Sequence, residues 1–288
     1  MKTVGIIANP EKDGVQDAVA VVRAWTAEHG MRLIAHDRIR RLVPPEVGCV
    51  DTDELVRTSD LMFAFGGDGT LLSAARRVAS AGRETPIIGV NMGSLGFLTQ
   101  IPEHEFPEAI KRLDPDRLPV SERMMISVQV EEGSDSRLAL NDVVVAKGAT
   151  SRMLSFAAHV DGELVTRYAA DGLILSTPTG STAHSLSAGG PVVMPNVEAI
   201  IATPICPHTL SIRPLVVPPT ARIELEMISC DDRTVVTTDG HRVFNVRPGD
   251  RVVVEKAEAT SSLVELAGHS YYEILRQKMR WTGRVRER

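Results

Sequence analysis

Gly66-Gly67-Asp68-Gly69-Thr70 stands between an apolar run, Leu61–Phe65 (LMFAF), and a run of helical texture, LLSAARRVA. A glycine turn between a strand and a helix presents bare backbone N–H groups and the positive end of the helix dipole, which suits a phosphate chain. Gly66, Gly67, Gly69 and Thr70 are therefore the candidate phosphate-binding residues. The pattern is neither a Walker A loop nor GxGxxG, so the loop brings no P-loop lysine of its own. Asp68 is the informative residue. A carboxylate repels phosphate, so among phosphate-binding glycines it points to a proton acceptor or a magnesium partner. A tight turn closed by an Asx hydrogen bond would use the same residues.

Two further segments share this texture. Asn91-Met92-Gly93-Ser94-Leu95-Gly96-Phe97 follows the apolar run Pro86–Val90. Two adjacent strand-to-helix crossings that end in glycine loops are expected to line one crevice, as at a topological switch point. The richest segment runs from Asp171-Gly172 to Gly189-Gly190-Pro191, and seven of its residues between Ser176 and Ser187 are Ser or Thr. So many small hydroxyls are costly unless something outside the chain uses the donors; a polar surface loop is the plainer alternative.

The elements that must position these residues follow from periodicity. Thr3–Ala8, Arg32–Ala35, Leu61–Phe65 and Pro86–Val90 read as buried strands, and Val15–His29, Thr70–Ser80 and Glu103–Leu113 as helices. That alternation implies an open, parallel α/β sheet, whose ligands bind at the carboxyl ends of its strands. The stretch DPDRLP, Asp114–Pro119, reads as a linker. Beyond it lie short Val/Ile/Leu-rich runs: Ile126–Val130, Leu138–Ala146, Leu154–Val160, Glu163–Tyr168, Leu173–Ser176, Arg222–Ile228, Thr234–Thr238 and Arg251–Glu255. Asp161-Gly162 between two of them is a hairpin signal. The expected division is an α/β domain over 1–119, a mostly-β domain over 120–264, and a final segment, 265–288, that returns to the first domain with a helix at Tyr271–Met279.

Composition narrows the classes. At 288 residues with 43% hydrophobic and 24% charged residues, the chain has globular composition and needs no disulfide staples. Cys49, Cys206 and Cys230 have no zinc spacing and cannot all pair, which fits a reducing compartment; a soluble, cytoplasmic protein is expected. A net charge of −5 argues against a duplex-coating protein, and the basic end, Arg276 to Arg288, reads as a solvated tail. No nucleic-acid or membrane partner is expected. Aromatics are only 4% while glycines number 22, so backbone contacts should dominate recognition.

GGDGT, NMGSLGF, LNDVVV, DGLILSTPTGSTAHSLSAGGPVV and PICPHTLSIRPLVV, in this order from roughly Thr3 to Asp239, resemble the NAD kinases, which phosphorylate the 2′-hydroxyl of the adenosine ribose of NAD. GGDGT alone is shared with lipid-kinase and phosphofructokinase relatives; the STPTGSTA segment followed by SLSAGGP is far more specific. The resemblance implies a Rossmann-like open sheet in the α/β domain and NAD binding by the β domain. It also implies ATP, or another triphosphate or polyphosphate, as donor with Mg2+, and a homo-oligomer, dimer or tetramer. It makes Asp68 the general base toward the ribose hydroxyl, with Gly69 beside it. Asn141 and Asp142 match the family's Asn-Glu pair that holds adenine and its ribose, with Asp one methylene shorter. Asp171, Thr179, Thr182, Ala183, His184, Ser185, Leu186 and Ser187 match the remaining NAD-binding segment. His184 stands where a tyrosine is usual. Arg152 falls where a basic or imidazole contact to NAD is often found, and His241 where the family has a late site residue, often glutamine. A non-catalytic NAD(P) sensor and a GGDGT-type lipid kinase remain as alternatives on these residues.

Overall fold

The computed structural model describes residues 1–131, 135–148, 153–231, 233–265 and 270–281. They fall into two compact units, Met1–Ser121 with Ser262–Arg288, and Glu122–Ser261.

The first unit is built on β1 (Thr3–Ala8), α1 (Val15–Glu28), β2 (Arg32–His36), β3 (Gly48–Val50), α2 (Thr52–Thr58), β4 (Leu61–Gly66), α3 (Asp68–Ser80), β5 (Ile87–Asn91), β6 (Ile101–Pro102) and α4 (Phe106–Ile110). β4 and β5 are buried at every residue, as continuous apolar runs are when helices cover both faces of a parallel sheet. Phe63 and Phe65 point to the face of α1 and α4, where Trp25 and Phe106 meet Phe63 edge-on. On the opposite face, Gly89 leaves room for Leu71 of α3.

The strands are parallel in the order β5-β4-β1-β2-β3. Chain direction across the sheet therefore reverses between β1 and β4. This corrects the expected crevice: the switch point lies between the loops that leave β1 and β4, with the loop after β5 alongside. That last loop leads into β6, which pairs with β5, and not into a helix. The helix expected over Glu103–Leu113 is instead a 3-10 turn, Glu103–Glu105, followed by the short α4. Pro107 has no N–H to give to Glu103, so a single helix cannot run through it.

The second unit comprises most of β7 (Val120–Val130), then β8 (Arg137–Ala139), β9 (Asp142–Ala146), β10 (Leu154–Val160), β11 (Glu163–Ala170), β12 (Gly172–Ser176), the single turn α5 (His184–Ser187), β13 (Ile200–Ile205), β14 (Leu215–Val217), β15 (Ile223–Ser229), β16 (Val235–Thr238), β17 (His241–Asn245) and the body of β18 (Arg251–Val264). One antiparallel layer orders β11-β10-β15-β18, with β7 against β18 and β8; the other orders β14-β13-β12-β9-β16-β17. Phe156, Leu225, Val252 and Val254 of the first pack with Val143, Val145, Leu173 and Val236 of the second in one core. Asp161-Gly162 forms the expected hairpin, both residues at positive φ (52° and 82°), the pattern of a type I′ turn.

The run Leu138–Ala146 reads as one strand but folds as two. β8 and β9 join different layers, and the chain breaks at Leu140-Asn141 because a side chain, Asp239, takes the N–H groups there. Strands β13, β14 and β17 lack a clear alternation and are not expected from the sequence. The chain returns to the first unit through β18, whose Leu263 pairs with Ile87 of β5, and ends its described part in α6 (Tyr271–Met279), started by a Ser270/Glu273 capping box. Among the described residues, no helix is long and apolar enough to cross a membrane.

Candidate functional site

In the first unit, three loops leave the carboxyl ends of adjacent strands. Helix α3 begins after Gly67 with no side-chain cap; Thr70 N–H donates to the Gly67 carbonyl (2.9 Å), and the N–H groups of Asp68 and Gly69 before it receive no side-chain acceptor from the capping residue. Gly67 and Gly69 have nothing within 4 Å of where a Cβ would stand. This is an open turn of backbone donors, and Gly66 and Thr70 close its base: Met92 N–H donates to the Gly66 carbonyl, 2.9 Å.

Asp68 is not the centre of a local Asx turn. Its Oδ2 accepts from Phe97 N–H (2.9 Å), and its Oδ1 accepts from Leu98 N–H (3.1 Å), Thr99 N–H (2.9 Å) and the Thr99 hydroxyl (2.9 Å). The two glycine segments are thus brought together, one supplying the carboxylate and the other the donors. Gly96 makes the approach feasible, since a Cβ there would lie 2.0 Å from Asp68 Oδ1. Asn91 shapes the same loop, accepting from Gly93 N–H (2.7 Å) and donating to the Ser94 carbonyl (2.6 Å).

Lys12, which sequence reasoning passed over, lies in the loop after β1. That loop is tied to β4 by Asn9 N–H donating to the Phe65 carbonyl (2.9 Å), and it turns on Asn9 Oδ1, which accepts from Glu11 N–H. Lys12 is exposed, and its Nζ reaches to 3.4 Å from the Cβ position of Gly93 on the loop after β5. Its only sequence signal is an exposed cation after a buried strand, which is too common to single out.

In the second unit, Asn141 stands at the strand break and Asp142 opens β9; both are buried. Asn141 Oδ1 and Asp142 Oδ2 have no hydrogen-bond donor, which is expensive for buried acceptors unless a ligand supplies one. Their backbone is fixed from two sides. Thr177 N–H donates to the Asn141 carbonyl (2.9 Å) and the Thr177 hydroxyl to the Leu140 carbonyl (2.6 Å). Gly180 presses on the same peptide so closely that a Cβ would sit 1.9 Å from the Asn141 oxygen.

The Ser/Thr-rich segment corrects the expectation that its hydroxyls face a ligand. Ser181 donates to the Pro178 carbonyl (2.7 Å), Ser185 pairs with the Thr203 hydroxyl (2.8 Å) and Thr182 donates to the Thr179 carbonyl (3.4 Å); all three residues are buried. Thr179 is buried as well, and Ala183 and Leu186 are half-buried. His184 and Ser187 are exposed and line a cavity of about 550 Å³ with Val144, Ile174, Cys206 and Thr237.

His184 Nδ1 lies 3.3 Å from Asp142 Oδ1. The hydrogen bond to Asp142 holds the imidazole pKa above its ordinary value against the opposing effect of burial, and the Asp142 and Asp239 charges add to the rise. Asp171 is engaged by Lys147 (2.6 Å). His241 opens β17 and is exposed. Arg152 lies outside the described residues. No group of three or more His, Cys, Asp or Glu side chains that could hold a metal occurs among the described residues.

A doubly wound unit with a glycine turn at its switch point, joined to a β sandwich with unsatisfied buried acceptors, is the architecture of a two-domain nucleotide-dependent phosphotransferase. The ATP-NAD kinase N-terminal domain matches residues 4–117 and the ATP-NAD kinase C-terminal domain matches residues 140–266. The NAD kinase of Desulforamulus reducens is 39% identical over 284 residues, covering 97% of this chain and 98% of its own. The structure of an Archaeoglobus fulgidus NAD kinase in complex with ATP superposes with a TM-score of 0.76 at 26% identity, covering 97% of this chain and 99% of that one. Yeast NADH kinase complexed with NADH shares the fold, with a TM-score of 0.88 at 23% identity over 100% of this chain and 90% of that one. The chain belongs to the NAD kinase family.

Proposed function

We propose that this protein transfers the γ-phosphoryl group of ATP to the 2′-hydroxyl of the adenosine ribose of NAD, forming NADP and ADP. The observation that carries the reading at the level of residues is Asp68, a carboxylate at the first turn of a helix whose glycine start is otherwise suited to phosphate. Its two oxygens are unequal. Oδ1 accepts three hydrogen bonds and Oδ2 one, so Oδ2 keeps the acceptor capacity to take the ribose proton as the ribose oxygen attacks the γ-phosphorus. The bond between the γ-phosphorus and the bridging oxygen breaks, and ADP leaves.

Positioning and electrostatics supply most of the catalysis in such a transfer. The amides around Gly66, Gly67, Gly69 and Thr70 cradle the triphosphate, and Lys12, beside the switch point, brings the cation that the glycine turn lacks. When bound, Mg2+ would supply further charge neutralisation on the triphosphate. Among the described residues no group of three or more His, Cys, Asp or Glu side chains gathers, which fits a cation held chiefly by substrate phosphates. The buried acceptors Asn141 Oδ1 and Asp142 Oδ2 suit the amino group of adenine and the hydroxyls of its ribose. Of the NAD-segment residues, His184 and Ser187 reach the cavity, whereas Thr179, Thr182 and Ser185 act by holding the segment's shape.

NADP formation, followed through an NADP-specific dehydrogenase with and without ATP, tests the reading. Donor-dependent NADP formation is expected; NAD binding without turnover would leave a sensor.

A further inference from the structure

We infer that Asp239 is a positioning residue for the acceptor nucleotide: its carboxylate holds the Leu140-Asn141-Asp142 backbone in the one arrangement that aims Asn141 and Asp142 at their ligand. The inference rests on the NAD kinase reading given above.

The geometry is unusual for a turn residue. Asp239 (φ 46°) and Gly240 (φ 78°) join β16 to β17, a left-handed pair of the type I′ kind. Asp, Asn and Gly all satisfy that turn, so the turn alone does not require a carboxylate. The side chain serves something distant. Oδ1 accepts from Asn141 N–H (2.7 Å) and Asp142 N–H (3.1 Å), and Oδ2 accepts from Leu140 N–H (3.1 Å). The backbone closes the clasp, with Asp239 N–H donating to the Asp142 carbonyl (2.9 Å).

Three successive backbone donors around one anion form a nest, and only a carboxylate offers enough acceptor capacity for all of them. Without it, N–H groups at buried residues would have to seek a strand ladder. The natural continuation of β8 into β9 would then carry Asn141 into the strand ahead of Asp142, where successive side chains alternate between faces. Asp239 thus forces the break that the sequence pattern hides, and leaves Asn141 Oδ1 and Asp142 Oδ2 with no protein donor.

The test uses Asp239→Gly, which keeps the turn and deletes the carboxylate, and Asp239→Asn, which keeps the turn and one oxygen. In the full-length enzyme, Asp239→Gly is expected to raise the KM for NAD about tenfold or more, and Asp239→Asn by less, as expected when buried donors lose their acceptor. The KM for ATP should stay within about twofold of wild type and kcat should fall much less than the KM for NAD rises, the signature of lost ground-state binding. A merely structural role would instead lower the melting temperature and the active fraction and leave the KM for NAD unchanged.

An unchanged KM for NAD in a folded Asp239→Gly, or equal rises for both substrates, overturns the inference. If Asp239→Gly does not fold, the KM for NAD of Asp239→Asn decides by the same criterion. Calorimetric titration of wild type and variants with NAD reports the role of Asp239 even if wild type forms no NADP, an outcome that would overturn the catalytic reading instead.

Discussion

The two glycine-rich candidate segments are built by opposite means. Around Gly66–Thr70 the chain removes side chains and leaves backbone donors open: Gly67 and Gly69 have empty space where a Cβ would stand. Around Ser176–Ser187 it adds small polar side chains and spends them inward, on Leu140, Pro178 and Thr203, to fix a peptide that carries two unsatisfied acceptors. The proposed roles fit that contrast: many similar amides suit a mobile, highly charged triphosphate, whereas a neutral hydroxyl or amino group needs a few acceptors held in one place. Gly67 and Gly69 mean openness in the first segment, and Gly180 means close approach in the second.

Four experiments probe that contrast, beginning with the largest effect. Asp68→Asn should lower kcat by about 10²–10⁴-fold, the usual worth of a general base, while calorimetric NAD affinity changes little; full turnover would remove Asp68 as base.

Glycine substitutions separate the two segments directly. Gly180→Ala places a methyl group 1.9 Å from the Asn141 carbonyl and should cost about 1–3 kcal/mol of stability, read as a lower melting temperature, together with a higher KM for NAD. Gly67→Ala meets nothing within 4 Å and should leave stability within about 0.5 kcal/mol while raising the KM for ATP. A destabilised Gly67→Ala with unaltered ATP kinetics would contradict the backbone-cradle reading.

Lys12→Ala should raise the KM for ATP a few fold, in keeping with the roughly 0.2–1 kcal/mol of an exposed charge pair. No change in the ATP parameters would place Lys12 among the solvated surface cations.

The smallest effect concerns pH. The imidazole of His184 is raised by its bond to Asp142, so the pair's contribution to stability is complete below the ordinary imidazole value of about 6.5 and is lost as pH rises through the raised value. His184→Gln should flatten that part of the melting-temperature profile; an identical profile would mean that the pair contributes nothing. His184 is largely exposed, so only a small difference is expected.

Much of this was legible in the sequence. The boundaries of β1, α1, β10 and α6 follow from apolar period and turn chemistry, and the GGDGT turn stands out because its glycines sit between two strongly patterned elements. Other features were not. The helix over Glu103–Leu113 was interrupted by Pro107, a signal present in the sequence but outweighed there by apolar spacing. The break inside Leu138–Ala146 leaves no local trace, since the residue that causes it is 97 to 99 positions away. For the same reason the density of Ser and Thr announces an important segment without revealing which hydroxyls turn inward.

The sequence by itself singled out the candidate residues: Asp68 among its glycines and the long hydroxyl-rich segment, because motif and local propensity depend on neighbours in the chain, and Asn141-Asp142 through the family resemblance. Tertiary structure alone decided where the switch point falls, that Asp68 clasps Phe97–Thr99, and that Asp239 breaks a strand to aim Asn141 and Asp142. Strand order and buried hydrogen-bond partners join residues far apart in the chain, and a one-dimensional pattern carries no record of which donor will find which acceptor.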